Sequence, residues 1–296
     1  MKNPKPILGK LYNQTREVLV GTVDDDTFYP GGGWDVVEGG LGIDTVVVIG
    51  RSSQFKLVFE NGVTYIDALS GASAMTERTE LIDVELVQFL DKTVNLVAND
   101  TFKGQPGTDL IDGGLGTDTV IYSGPSEQYT VNKSGNRYIV SEPTGSDDTD
   151  YLTNIERLQF KNSKLALDVA NGPVADGAKL MGALLGPAFL KDKALAGIVI
   201  GLMDQNYSPE FVATLGLATP LYLGMAGSSS HVDFVKHVFT NVVGRQPLAN
   251  ELNQYVGMLE SGSATQASLA VMAANTDLNA ARIDLVGLIQ HGWEFV

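Results

Sequence analysis

The chain contains no cysteine, which excludes disulfides, thiolate metal sites and thiol catalysis together. Its three histidines, His231, His237 and His291, form no HExxH motif, and His231 and His237 stand six apart rather than at the i, i+4 spacing of a helical metal pair. A GxSxG elbow and a GxxxxGK[ST] phosphate loop are also missing, so catalysis is not expected. No run approaches 18 consecutive apolar residues, and no membrane span is expected. The opening MKNPKP is basic but leads into no apolar stretch, so no cleavable signal peptide is expected and export would need another route. Basic residues are scarce, 20 against 35 acidic ones, for a net charge of -15. The excess is concentrated in residues 1–172, with 25 Asp/Glu against 14 Lys/Arg. Such a surface repels phosphates and anionic lipid and gathers cations, so nucleic acid is not an expected partner.

Glycine is abundant and clustered. Residues 39–47 read GGLGIDTVV and residues 113–121 read GGLGTDTVI, 74 residues apart. The match continues through Gly50 and Gly124, Gln54-Phe55 and Gln128-Tyr129, and LIDVELVQF at 81–89 and LTNIERLQF at 152–160. The first part of the chain is therefore a tandem duplication. Inside each copy runs a finer period of nine. The nonapeptides at 21–29, 30–38 and 39–47 place Asp26, Asp35 and Asp44 at the sixth position, and those at 95–103, 104–112 and 113–121 place Asp100, Asp109 and Asp118 there. Departures occur at position one (Pro30, Asn95) and position two (Thr22, Leu96, Gln105).

These units resemble the hemolysin-type, or RTX, nonapeptide GGxGxDxUx, with U a large apolar residue. The resemblance implies a six-residue turn and a three-residue strand per unit, two units forming one coil of a parallel β-roll. Glycine suits such turns because it accepts positive φ and close backbone approach. It also implies Ca2+ as the bound ion, held by sixth-position carboxylates and turn carbonyls. A hard cation taking six to eight oxygens at roughly 2.3–2.6 Å fits that donor set better than magnesium does. With two units per coil, Asp26 is expected to face Asp44, and Asp100 to face Asp118. Asp24, Gly39, Leu41, Gly113 and Leu115 join them as candidate turn ligands. On the opposite edge, the nine-residue phase puts Glu17 before Asp35 and Asp91 before Asp109. The run Asp147-Asp148-Thr149-Asp150 reads as a solvated loop or an additional cation site. Residues 55–59 and 63–66 read as a hairpin around Asn61-Gly62, repeated at 129–131 and 138–140 around residues 133–136.

After Asn171-Gly172-Pro173 the apolar spacing becomes three and four, predicting helices at 177–186, 188–204, 208–216, 231–243, 248–261, 264–275 and 278–291. The segment 234–261, with N-V-x-G-R-x-P followed by Tyr255-Val256-Gly257-Met258-Leu259, together with 283–296, resembles a bacterial helical domain of undefined activity found in secreted repeat proteins. Arg245 is expected to pair or cap within its loop. The final Trp293-Glu294-Phe295-Val296 resembles the uncleaved signal of type I export.

The expected class is a multidomain α+β protein. Residues 1–98 are expected to form a first β-roll repeat, 99–172 a second, and 173–296 an all-α domain. The leading expectation is a secreted calcium-binding protein in which calcium is structural, acting without catalysis in a surface layer, in adhesion or in a matrix. Its expected partners are calcium ions, the type I secretion apparatus, and cell-surface polysaccharide or another extracellular protein. One alternative is a small-molecule or glycan site in the helical domain, with Tyr207, Tyr222 and Trp293 as candidate lining residues. Another is an exoenzyme or accessory module.

Overall fold

The computed structural model of the chain describes residues 6–9, 16–60, 63–69, 78–142 and 149–296. It is α+β, and divides into one unit of Met1–Asp100 with Gly113–Asp118 and another of Thr101–Asp112 with Thr119–Val296. The second unit thus contains most of the second repeat together with the helices.

In the first unit the strands follow the period of nine. They are β1 (Ile7–Leu8), β2 (Val18–Val20), β3 (Thr27–Tyr29), β4 (Trp34–Glu38) and β5 (Thr45–Val47). Strands β2 and β4 pair in parallel with Leu19 opposite Val37, and β3 pairs with β5 with Phe28 opposite Val46. Both registers are shifts of 18 residues, two nonapeptides per coil, and they stack the eighth-position apolar residues in two columns, one in each sheet. The hairpin β6 (Phe55–Glu60) and β7 (Val63–Ala68) then extends the β2–β4 sheet, and β8 (Arg78–Ile82) returns between β7 and β4. Strand β9 (Leu86–Gln88) lies parallel to β5 and antiparallel to β10 (Thr93–Asn95). The LIDVELVQF segment is therefore a further coil made without glycine. Phe28, Val37, Val46, Ile66 and Val87 are fully buried in the core, each worth about 1.5–3 kcal/mol relative to exposure.

The second unit repeats the plan. Strands β11 (Thr101–Lys103), β12 (Leu110–Asp112) and β13 (Thr119–Ile121) precede the hairpin β14 (Thr130–Ser134) and β15 (Arg137–Ser141), followed by β16 (Thr149–Thr153), β17 (Arg157–Gln159) and β18 (Lys164–Ala166). Strand β13 lies between β11 and β17, all parallel, with Val120 opposite both Phe102 and Leu158. Strand β12 runs parallel to β16, Ile111 opposite Leu152. The expected hairpin turn is present, with Gly135 at φ +63°.

The helices are α1 (Pro173–Leu185), α2 (Lys193–Asp204), α3 (Pro209–Leu217), α4 (Pro220–Ala226), α5 (His231–Val243), α6 (Ala249–Glu260), α7 (Gln266–Ala274), α8 (Asp277–Arg282) and α9 (Leu285–His291). Helix α1 packs against α2, α3, α5 and α7 and supplies Leu180, Met181 and Leu184 to the core. Three expectations are corrected. The helix expected at 188–204 begins at Lys193, because the Asp192 carboxylate accepts the Ala194 and Leu195 N–H groups and caps it there. The span 278–291 breaks at Asp284, which takes a left-handed φ of +51° and starts α9 by accepting the Gly287 N–H. Helix α4 was not expected; Thr219 caps it and Pro220 opens it.

A last strand, β19 (Trp293–Phe295), pairs antiparallel with β18 and joins the helical segment to the second repeat. Trp293 is 1% exposed and donates its indole N–H to the Leu190 carbonyl at 2.9 Å. Glu294 accepts from Ser163, Ser126 and Lys193. The buried Arg157 guanidinium on β17 bridges Asp168 and Asp204, the latter at the end of α2. Tyr222 is equally buried in the helical core, and Tyr207 stacks on Phe211. Trp293 and Tyr222 are thus packing residues, because β19 and α4 carry them inward. Trp293→Ala is expected to cost about 3–5 kcal/mol, read as a lower urea midpoint; an unchanged midpoint would show that β19 does not hold this unit together.

Candidate metal centre

The parallel register places sixth-position residues one above another, and a hydrogen bond locks each step. The Asp26 N–H donates to Asp44 Oδ1 at 2.8 Å, the Asp100 N–H to Asp118 Oδ1 at 2.6 Å, and the Glu17 N–H to Asp35 Oδ1 at 3.0 Å. Each carboxylate therefore grips the backbone 18 residues before it. The expected groupings of Asp26 with Asp44, Asp100 with Asp118 and Glu17 with Asp35 are brought together as consecutive rungs. Asp35 and Asp44 are 2% and 0% exposed, so their charges lie away from bulk water.

The second carboxylate oxygen divides the turns into two kinds, and position two decides which. In the turn 21–26, Thr22 stands at position two, and both its N–H and its hydroxyl donate to Asp26 Oδ2, at 2.6 and 2.9 Å. Gln105 does the same in the turn 104–109, its N–H reaching Asp109 Oδ2 at 2.8 Å. In the turns 30–35 and 39–44 position two is glycine with positive φ, Gly31 at +81° and Gly40 at +104°. There Asp35 Oδ2 and Asp44 Oδ2 are buried and meet no hydrogen-bond donor. A buried anionic oxygen without a donor is costly, and a cation is the group that removes the cost. These two turns fit calcium, while Asp26 and Asp109 already commit Oδ2 to the backbone N–H of position two. Sequence reasoning treated position two as a question of turn strength; its effect on the carboxylate emerges only from the folded turn.

The other candidate ligands fall as follows. Leu41 donates its N–H to the Thr22 carbonyl at 3.2 Å, with its side chain 69% exposed. Asp24 is exposed, and its carbonyl lies against Gly42 of the next turn, 2.9 Å from where a Cβ would stand. Gly113 opens the turn of Asp118, and Leu115 in that turn packs on the first unit's core. Asp91 is a correction. Its carboxylate accepts the N–H and hydroxyl of Ser52 at 2.7 and 2.9 Å, which draws its pKa below the usual range. On the other side of Asp109 the next rung is Asp150, whose Oδ1 accepts the Asp109 N–H at 2.9 Å while Oδ2 accepts the Tyr122 hydroxyl at 2.9 Å. Asp150 is 1% exposed in β16, not in a solvated loop, because β16 runs in register beside β12. Asp147 and Asp148 lie outside the described residues.

Among the described residues no three Asp, Glu or His side chains gather in one cluster. The ligand set is accordingly one or two carboxylates with turn carbonyls. A donor set of this kind, oxygen only and built on repeated turns, suits calcium. The sequence matches the model of the RTX calcium-binding nonapeptide repeat over residues 13–46 and 98–121, a family that binds Ca2+. The helical segment matches a domain of unknown function (DUF4214) over residues 222–282. No curated protein matches the chain.

Burial raises the carboxyls of Asp35 and Asp44 above the ordinary aspartate range, opposed in part by the N–H bonds of Glu17 and Asp26. Without calcium, the stabilisation from protonating these groups is full below the ordinary pKa and is lost as pH rises through the raised values. Calcium needs the deprotonated form. The gain in melting temperature on adding calcium is therefore expected to shrink from pH 7 toward about pH 4. A gain that is constant over that range in paired thermal melts would show that these carboxylates do not bind the ion.

Proposed function

We propose that the chain is an extracellular, non-catalytic calcium-binding protein that works at or outside the cell surface, as part of a surface layer, an adhesive or a matrix. The observation that carries this reading is the pair of buried carboxylate oxygens on Asp35 and Asp44 that face no donor. RTX repeats are typical of secreted proteins, and among the described residues no helix is long and apolar enough to cross a membrane. Export as an unfolded chain through a type I apparatus suits such repeats, since scarce intracellular calcium leaves the rungs uncompensated. Outside, binding adds about 2.7 kcal/mol for each site held at a hundredfold excess over its dissociation constant. The histidine rings support a non-catalytic role: His237 bonds to the Leu184 carbonyl, His291 to the Val131 carbonyl and His231 to Gln266. Millimolar calcium is expected to raise the melting temperature by several degrees or more, and magnesium much less, by calorimetry and circular dichroism. No response to calcium would overturn the reading.

A second reading concerns the helical segment. A cavity of about 190 Å³ lies among α5, α6, α7 and α8, lined by Phe234, Val238, Phe239, Tyr255, Met272 and Leu278. Such a lining suits a small apolar ligand and not a sugar. If it holds one, Ala273→Trp, which fills the cavity from α7, abolishes the fluorescence gain of a bound apolar dye that the parent chain gives. Equal dye response in both would remove this reading.

A further inference from the structure

The stack of turns in the first unit does not end with the last nonapeptide. Gly21 donates its N–H to the Glu38 carbonyl, and Gly39 repeats the step one coil later to the Ile82 carbonyl, both at 2.8 Å. A Cβ on Gly21 would fall onto the Gly39 carbonyl oxygen, and a Cβ on Gly39 onto the Asp83 carbonyl oxygen. Asp26 donates its N–H to the Asp44 carboxylate, and Asp44 donates its own to Glu85 Oε2 at 2.7 Å. Residues 83–85 therefore take the place of a whole turn: Asp83 occupies position one and Glu85 position six. Three residues do the work of six because Asp83 adopts a left-handed φ of +49° and because glutamate reaches further than aspartate.

We propose that this short turn completes a calcium site with turn 39–44, using Asp44 Oδ2, the Asp83 carbonyl and the Glu85 carboxylate. The proposal rests on the calcium reading above and deepens it, since Asp83 and Glu85 lie outside both matched repeat segments. Asp44 Oδ2 is buried, has no donor, and lies 2.6 Å from the point where a Cβ on Gly39 would stand. The Asp83 carbonyl oxygen converges on that same point. Two oxygens converging beside Gly39, with no N–H or O–H donor on Asp44 Oδ2, repel unless a cation lies near both. An oxygen-only set drawn from carboxylates and a main-chain carbonyl suits calcium.

The test is the number of calcium ions bound per chain, by equilibrium dialysis at saturating calcium, with far-UV circular dichroism confirming the fold. Glu85→Gln keeps an acceptor for the Asp44 N–H, so loss of the hydrogen bond is not what it reports. It is expected to bind one ion fewer than the parent, as is Asp44→Asn, and the double variant is expected to lose that same single ion. An unchanged count in Glu85→Gln, or two ions lost in the double variant, would overturn the proposal while leaving the calcium reading intact. A parent chain that binds no calcium would bring down the calcium reading itself.

Discussion

The first unit depends on one repeated bond, from the backbone N–H of a sixth-position residue to the carboxylate 18 or more residues further on. The bond fixes the register between coils, and the register stacks Phe28, Val46 and Val87 into the interior. It also draws negative charge inside, onto Asp35 and Asp44. A fold that aligns its carboxylates this way raises its own electrostatic cost with every coil. It must then satisfy the second oxygen of each, and the turns do so in two ways. Thr22 and Gln105 close onto the carboxylate, whereas in the turns of Gly31 and Gly40 the second oxygen meets no donor and is left for a cation.

The second repeat meets the same constraint with different chemistry. Asp150 continues the ladder on the edge where the first repeat has Thr79 in the equivalent position, opposite Asp35. Both oxygens of Asp150 are taken, by the Asp109 N–H and the Tyr122 hydroxyl. Tyr122, Tyr129 and Phe160 fill the core beside it with ring centroids 4.9 to 5.7 Å apart. The same unit is tied to its helices through β19 and through the Arg157 bridge to Asp168 and Asp204. On one edge the duplicated sequence has thus diverged: Asp35 Oδ2 meets no donor, while Asp109 and Asp150 are hydrogen-bonded there.

Much of the plan was legible along the chain. The period of nine set the aspartates at one phase, and the RTX resemblance, which implies two units per coil, gave the 18-residue register that aligns Asp26 with Asp44. The hairpins were marked by glycine between alternating apolar residues. Two of the helical caps were less legible. Asp192 and Asp284 read as ordinary polar residues within apolar spacing, and only the backbone they adopt makes them caps. Extending the phase of nine past the nonapeptides failed for Asp91, because β10 runs antiparallel to β9 and leaves the coil.

The sequence by itself determined the repeat, the class of fold, the oxygen-only donor set and hence the preference for calcium. Residue type and spacing suffice for the repeat, and the class of fold and the preference for calcium follow from the resemblance to the RTX nonapeptide that those residues carry. Which carboxylates remain without a donor, and which residues continue the ladder after the nonapeptides end, only the tertiary structure decided. Asp150 and Glu85 reach their rungs from strands that return after a hairpin, 41 residues beyond their partners Asp109 and Asp44. Contacts at that separation follow from strand pairing, and no local motif encodes them.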